Sequence, residues 1–412
     1  QYYSNFMRNH PVMDKNIRDD TQISRLLKYN IKEEDINLFL RAWNQMNNTK
    51  ECVYVGYDST NFNTNAYGIE LADYGHPKVD EGLPQYNLAY AVNQKDSTPL
   101  FYELYDGSVI DNTELEIMLE EAKEYGHEKL GVLIDRGYIS EKNIKALRTK
   151  GYEYILMMKQ NQRICQEIIE EYGAAVQSLE GYYIGEHGVY GTTVKKQLYG
   201  QETNIHVYYD DIRASEEKVA LMSRYETWEK EIEKKVAKRI ATEGEMKKYR
   251  KVFKLKYDQN GYLVAYQRNS RYIKEEIRNL GFFFIITSEE MSASKALDIY
   301  RGRDNIEKMF RSLKSGIDFN KARVHTTESL KSKVFVTFIA MIVRNELFQK
   351  AEELRKKNRK AYTVPGMISE LENIECTRNS VGKYRRKYAL TAKQKLILKQ
   401  FDIEEKYIDR SI

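Results

Sequence analysis

Cysteine is scarce: Cys52, Cys165 and Cys376 are three in a chain of 412 residues. The number is odd, the spacing is wide and no C-x-x-C pair occurs, so neither a disulfide framework nor a zinc knuckle fits. A reducing cytoplasm is the compartment this usage suggests. Five prolines leave no stiff linker, and no fixed-period repeat or low-complexity tract is visible. Long apolar runs are missing too: the longest, 334–343, spans ten residues and is interrupted by Thr337. A membrane helix needs about 20, so this run reads as a buried helix segment and no membrane partner is expected. The chain starts at Gln1 with a polar stretch, which shows no secretory leader and suggests a truncated start. Histidines 76, 127, 187 and 206 lack ligand spacing and receive no role.

What is abundant is charge. Lys and Arg number 66 against 61 Asp and Glu, 31% of residues are charged and 42% hydrophobic, and the net charge is +5. Such a balance excludes a disordered or collagen-like chain but is too weak to name a polyanionic partner. At this length two or more domains, or one domain with a large insertion, are expected.

In residues 1–50, Ile36, Phe39, Leu40 and Trp43 recur at helical spacing, giving a helical entry segment. From 51 the runs CVYVGYD, LAYAVN and PLFYELYDG, separated by turn-forming segments, read as an antiparallel meander. A helix over 112–125, the strand LGVLID, a helix over 140–149 capped by Ser140, and the strand YEYILMMK follow. This order, over 51–159, predicts an α/β sheet with helices on its faces. Residues 160–283 read as an inserted subdomain of hairpin strands and one long charged helix carrying Leu221, Tyr225, Trp228, Ile232 and Val236. Trp228 lies in that helix's apolar stripe and is assigned to packing. The strand GFFFIIT closes the insertion. Residues 284–350 return to the core with a long helix over about 294–315, and 351–412 form a helical, basic C-terminal region.

That helix carries the strongest local pattern. At about 100° per residue, Tyr300, Arg303, Glu307 and Lys314 fall near 0°, 300°, 340° and 320°, one polar stripe beside the apolar stripe of Ile299, Ile306, Phe310, Leu313 and Ile317. A carboxylate flanked by two cations and a tyrosine suits a site handling a phosphate-like group. An amphipathic surface helix with an Arg–Glu pair at i, i+4 explains the same residues. Asp58 and Asp135 each end a buried strand, where open α/β sheets bind ligands, although turn-capping aspartates are common there.

Together these residues resemble the DDE transposases of bacterial insertion sequences, in the group marked by a Tyr-x2-Arg-x3-Glu-x6-Lys signature. Tyr300, Arg303, Glu307 and Lys314 reproduce every spacing; Asp58 in YVGYDSTNF and Asp135 in VLIDRGYIS are similar to the two aspartates. The segment GHPKVDEGLPQYNLAYAV is similar to a family loop, with Pro77 in place of Ser, a shorter length and no Arg-Pro pair. HVYYDDIRASEEKVAL is similar to the family's insertion region.

The resemblance, over roughly 53–344, implies a ribonuclease H-like mixed sheet flanked by helices and interrupted by a β-rich insertion. The 171 residues between Asp135 and Glu307 leave room for one. It implies that Asp58, Asp135 and Glu307 converge to hold two Mg²⁺ ions, which Mn²⁺ can replace, since hard oxygen donors suit these ions. It further implies cleavage at insertion-sequence ends and strand transfer of the freed 3′-hydroxyl into target DNA. Tyr300, Arg303 and Lys314 would grip the backbone. Double-stranded DNA, as terminal inverted repeats and target, is the implied partner, with a homodimer on DNA in a bacterial or archaeal cytoplasm. Two alternatives stay open: a nuclease that only hydrolyses, and an inactive DNA-binding derivative. Arg385, Arg386 and Lys387 belong to a basic stretch, 378–399, without Asp or Glu, which fits a phosphate-tracking patch or a solvated surface. Lys321, Arg323, His325, Lys331 and Lys333 follow the signature and extend the cationic surface.

Overall fold

The computed structural model describes residues 3–10, 19–48, 52–75, 82–109, 111–127, 130–134, 140–238, 244–317, 319, 321–358, 362–378, 380 and 384–408. The chain divides into two compact units, Gln1–Tyr138 with Gly302–Ile412, and Ile139–Arg301. These limits differ from the insertion boundaries read from the sequence, 160 and 283. No helix among the described residues is long and apolar enough to cross a membrane.

The first unit begins with α1 (Tyr3–Asn9), α2 (Asp20–Arg25), a π-turn (Leu26–Asn30) and α3 (Glu33–Asn47). On α3 the expected stripe buries Ile36 and Leu40 together with a polar residue, Asn44. The Asn44 amide donates to the carbonyls of Leu40 and Leu100, both at 2.8 Å, and its oxygen accepts from His127 Nε2 at 2.7 Å. Burial lowers the pKa of His127, a core residue bonded through Nε2.

The meander β1 (Val53–Asn63), β2 (Gln85–Asn93) and β3 (Pro99–Asp106) is antiparallel throughout. After α4 (Asp111–Glu124), strand β4 (Leu130–Ile134) pairs parallel with β1 in the register Val53↔Leu130 to Gly56↔Leu133. The unit's strand order is β3-β2-β1-β4. β1 is longer than its apolar run: it continues through Ser59, Thr60 and Asn61, all buried. Asp58 therefore stands inside the strand rather than at its end, because pairing with β2 persists to Asn63↔Gln85.

The second unit contains α5 (Glu141–Lys150), β5 (Glu153–Met157), α6 (Arg163–Ser178), β6 (Tyr183–Ile184), β7 (Val189–Leu198) and β8 (Gln201–Tyr209). Ser140 caps α5 by accepting from the Asn143 amide at 3.1 Å, as its position predicts. The turn joining β7 to β8 has positive φ at Tyr199 (52°) and Gly200 (81°), the pair that a tight right-twisted hairpin requires. Then come α7 (Asp211–Lys238), β9 (Phe253–Tyr257), β10 (Leu263–Arg268), α8 (Ser270–Arg278), β11 (Phe282–Thr287) and α9 (Ala293–Arg301). β11 pairs antiparallel with β5 on one side and β8 on the other. The β7–β8 hairpin thus belongs to the same sheet as β11. A distinct core forms where α7, the β9–β10 hairpin and α8 bury Leu221, Tyr225, Ile232, Phe253, Leu263 and Ile273. Trp228 packs against it, edge-on to Tyr249 at 5.7 Å, in agreement with the packing role.

The first unit resumes with α10 (Asp304–Arg311), a π-turn (Ser312–Gly316), α11 (Thr327–Asn358), α12 (Val364–Glu372), β12 (Cys376–Arg378), β13 (Tyr384–Arg386), α13 (Ala392–Gln400) and α14 (Glu405–Ile408). The expected helix over 294–315 is two helices interrupted at Gly302. An added Cβ there would lie 2.0 Å from Gln94 Nε2, so the bare backbone admits a side chain that a larger residue would displace.

Candidate active site

One face of β1 organises the candidate residues, because side chains two apart along a strand point the same way. On that face Gly56, Asp58, Thr60 and Phe62 follow one another. An added Cβ at Gly56 would stand at ordinary van der Waals distance, 3.8 Å, from Ile306 Cβ of α10. Lys314 Nζ donates to Thr60 Oγ1 at 2.7 Å and lies 5.4 Å from the centre of the Phe62 ring. Phe319 meets Phe62 edge-on at 5.3 Å. Tyr90, directly across from Asp58 on β2, has its ring edge-on to Phe310 of α10 at 5.8 Å. The helix and its π-turn therefore run alongside the strand, Ile306 at Gly56 and Lys314 at Thr60. Eight helical residues rise about 12 Å and four strand residues about 13 Å, so the two advance in step. Asp58 lies between these anchor points, half-buried, with its Oδ1 accepting from the Ser59 amide at 2.9 Å.

Glu307 follows the anchored Ile306. Its side chain is 52% exposed and pairs with Arg303, 15% exposed, at 3.3 Å. The i, i+4 ion pair expected of an amphipathic helix is present, and Arg303, Glu307 and Lys314 share one unit. The helix turns about 100° per residue, which puts Arg303, Glu307 and Lys314 on one flank of α10 and Met309 and Leu313 on the other. Met309 lines a cavity with α11 and α12 residues, together with Lys308, Arg311 and Ser312.

Tyr300 differs from its expected place on the polar stripe. It belongs to α9 in the second unit, is buried, and precedes the break at Gly302, after which the helical phase restarts at Asp304. Asp135 lies outside the described residues; β4 ends one residue before it. The donors at hand are hard carboxylate oxygens, a set suited to Mg²⁺ or Mn²⁺ rather than to a soft metal. Among the described residues no group of three His, Cys, Asp or Glu could hold a metal ion, and the third expected carboxylate is not among them.

Four cations of the basic C-terminal stretch pair with carboxylates from outside it. Arg386 pairs with Glu405 at 3.2 Å, Lys387 with Glu375 at 3.1 Å, Lys393 with Glu370 at 2.9 Å and Lys395 with Glu405 at 2.9 Å. Arg385 is exposed on β13, and its backbone carbonyl accepts from Thr377 Oγ1. Lys383 lies outside the described residues. Thr60, missed by the sequence reading, holds the signature lysine; its place two residues past Asp58 on a strand was the signal for it.

The sequence matches the family model described as "Transposase DDE domain" over residues 55–343. A comparison with curated proteins finds none that matches. Among solved structures, the chain is similar to the piggyBac transposase in a synaptic complex with hairpin DNA, with 9% identity, a TM-score of 0.40, and coverage of 95% of this chain and 63% of that one. It is also similar to the Mos1 transposase in a paired-end complex with the left transposon end, with 16% identity, a TM-score of 0.19 and coverage of 37% and 48%. For the Drosophila P element transposase strand transfer complex the values are 13%, 0.17, 95% and 97%. The chain thus spans less than two thirds of the length of the piggyBac chain. TM-scores this low establish no shared topology, and the assignment rests on the sequence match. That match covers most of the chain and includes Asp58, Asp135, Tyr300, Arg303, Glu307 and Lys314: the chain belongs to the DDE transposase domain family.

Proposed function

We propose that this protein cuts DNA at the ends of an insertion sequence and joins the freed 3′-hydroxyl to target DNA, with Asp58, Asp135 and Glu307 as the catalytic carboxylates. The observation that carries the reading is the face of β1, where Gly56 against Ile306 and Thr60 against Lys314 bracket Asp58 and bring the Glu307 helix alongside it. Sequence arithmetic supports the third member. Asp58 follows Gly56 by two residues, Asp135 follows Leu133 by two, and Gly56 and Leu133 are parallel register partners.

Proteins of this family generally use divalent metal ions. The three carboxylates would hold two Mg²⁺ ions, with Mn²⁺ as a substitute; when bound, such ions activate water and offset charge on the phosphate. The chain's own residues supply the rest. Lys314, fixed by Thr60 and Phe62, offers a positioned ammonium for a non-bridging phosphate oxygen. Arg303, paired with Glu307 at 3.3 Å, orients that carboxylate. Tyr300 would act with them on the backbone near the cut. Water first attacks the phosphodiester, and the released 3′-hydroxyl then attacks the target strand. Two element ends need two active sites, so a homodimer on double-stranded DNA is the proposed working form, in a bacterial or archaeal cytoplasm.

The test uses labelled duplexes ending in the terminal repeats of the element encoding the chain, with Mn²⁺, comparing the wild type with Glu307→Gln. The expected result is nicking and strand transfer by the wild type alone, with equal DNA binding by both. Nicking without transfer would identify a hydrolytic nuclease, and binding without nicking an inactive derivative. Equal nicking by both proteins would remove Glu307 from the mechanism.

A further inference from the structure

Within the first unit, a cavity of about 700 Å³ opens between the N-terminal helices and the loop that follows the signature helix. Its lining includes Lys28, Arg323, His325 and Lys333, with Asp20 as its one carboxylate and Ser329 as a neutral donor. Two cations are crowded: Lys333 is half-buried, and burial together with the charge of Arg323 lowers its pKa. Its Nζ reaches the Ala322 carbonyl, an acceptor that carries no net charge.

Arg323 is held in a left-handed conformation, φ 55°, that a side-chain-bearing residue rarely adopts. The loop is pinned in that shape. An added Cβ at Gly68 would lie 2.4 Å from the His325 carbonyl oxygen, and the Glu70 amide donates to Thr327 Oγ1 at 2.9 Å. The opposite wall is tied to α11 as well, through Lys331 with Glu33 at 2.9 Å and Ser332 Oγ with the Ile31 carbonyl at 3.3 Å. Arg323 and Lys333, gathered in a rigid recess with one of them on a strained backbone, are a costly arrangement for the protein alone and a favourable one around an anion, while Lys28 at its rim stands near Glu328.

We infer that this recess is an anion site that seats a phosphate of the DNA backbone through Arg323, Lys333 and Lys28, away from the carboxylates that cut. The inference rests on the proposed DNA chemistry and adds a contact to it. A seated phosphate bonds the guanidinium and the ammonium together and relieves their repulsion. The loop conformation is thereby matched to DNA rather than to the stability of the free protein.

Arg323→Gly separates this role from a structural one, since glycine accepts a φ of 55° while the charge is removed. The full chain and its Arg323→Gly and Lys333→Gln variants are titrated with a labelled duplex at several salt concentrations, and their melting temperatures are measured. Arg323→Gly should melt no lower than the wild type yet bind the duplex roughly five- to tenfold more weakly near 0.1 M salt, with the slope of log K against log [salt] shallower by about one. Lys333→Gln should show the same loss of slope. Inorganic phosphate should raise the wild-type melting temperature more than that of Arg323→Gly. Unchanged affinity and slope in both variants, with DNA binding intact, would overturn the recess alone. Stabilisation by inorganic phosphate without any effect on DNA slope would identify a free-phosphate site and would also overturn it. No duplex binding by the wild type would overturn the DNA reading together with it.

Discussion

Two polar clusters, one in each unit, are built in contrasting ways. In the second unit, the side chains around His206 and Arg148 are closed on themselves. His206 accepts at Nδ1 from Thr193 Oγ1 (2.8 Å) and donates from Nε2 to Thr287 Oγ1 (3.0 Å), which itself donates to the Glu289 carbonyl. Arg148 spends its guanidinium on Tyr154, Thr203 and the Leu198 carbonyl. In the first unit, Asp58, Arg303, Glu307 and Lys314 gather along one strand face, with Glu307 open to solvent. Polar groups saturated by their own neighbours hold a fold together, and polar groups gathered at an accessible flank are available to a ligand.

Mutations can break this contrast. The largest effect is expected in the first unit: Asp58→Asn or Glu307→Gln removes a charge from the proposed metal site, worth several kcal/mol in the transition state, about a thousandfold or more in nicking rate, with the melting temperature nearly unchanged. A loss of folding in both variants would place these residues with the saturated kind. In the second unit the expected effect is on stability. Burial pushes the His206 pKa down to about 4 from 6.5. The unfolded chain therefore takes up a proton near pH 6.5 that the folded chain refuses until about pH 4. The stability due to neutral His206 is complete above pH 6.5 and is lost as pH falls towards 4, on the order of 2–3 kcal/mol. Thermal melts from pH 7 to pH 4 should show this decline, flattened in His206→Gln, and an unaltered profile in that variant would contradict it. The smallest effect is expected at the C-terminal pairs: Arg386→Ala with Lys387→Ala opens one exposed ion pair and one whose arginine is only 17% exposed, and should lower the melting temperature by no more than a few degrees. A loss of DNA affinity in that double variant comparable to the loss in Arg323→Gly would show that Glu405 and Glu375 do not neutralise the stretch.

The sequence displayed the meander, the helices flanking β4 and the two anchors of the signature because period and spacing are local properties. It hid what depends on partners. β1 runs past Asp58 because β2 pairs with its polar residues, which no apolar run announces. The signature was legible as spacing but not as one helix, since the break comes from Gly302 beneath Gln94, a residue more than two hundred positions earlier. The helix α6 was missed beside the stronger strand patterns that follow it. The basic C-terminal stretch looked uncompensated because Glu370, Glu375 and Glu405 stand outside it. Conversely, Lys28 is about three hundred residues from Arg323 in sequence, so their shared cavity had no linear trace.

The most direct test maps the carboxylates themselves. Fe²⁺ with ascorbate, placed in a divalent site, cuts the polypeptide beside its ligands through locally formed hydroxyl radicals. Fragments ending near residues 58, 135 and 307, all suppressed by excess Mg²⁺ and all lost in Glu307→Gln, are the predicted result. Cuts at one of these positions without the other two, or a pattern indifferent to Glu307→Gln, would contradict a shared site.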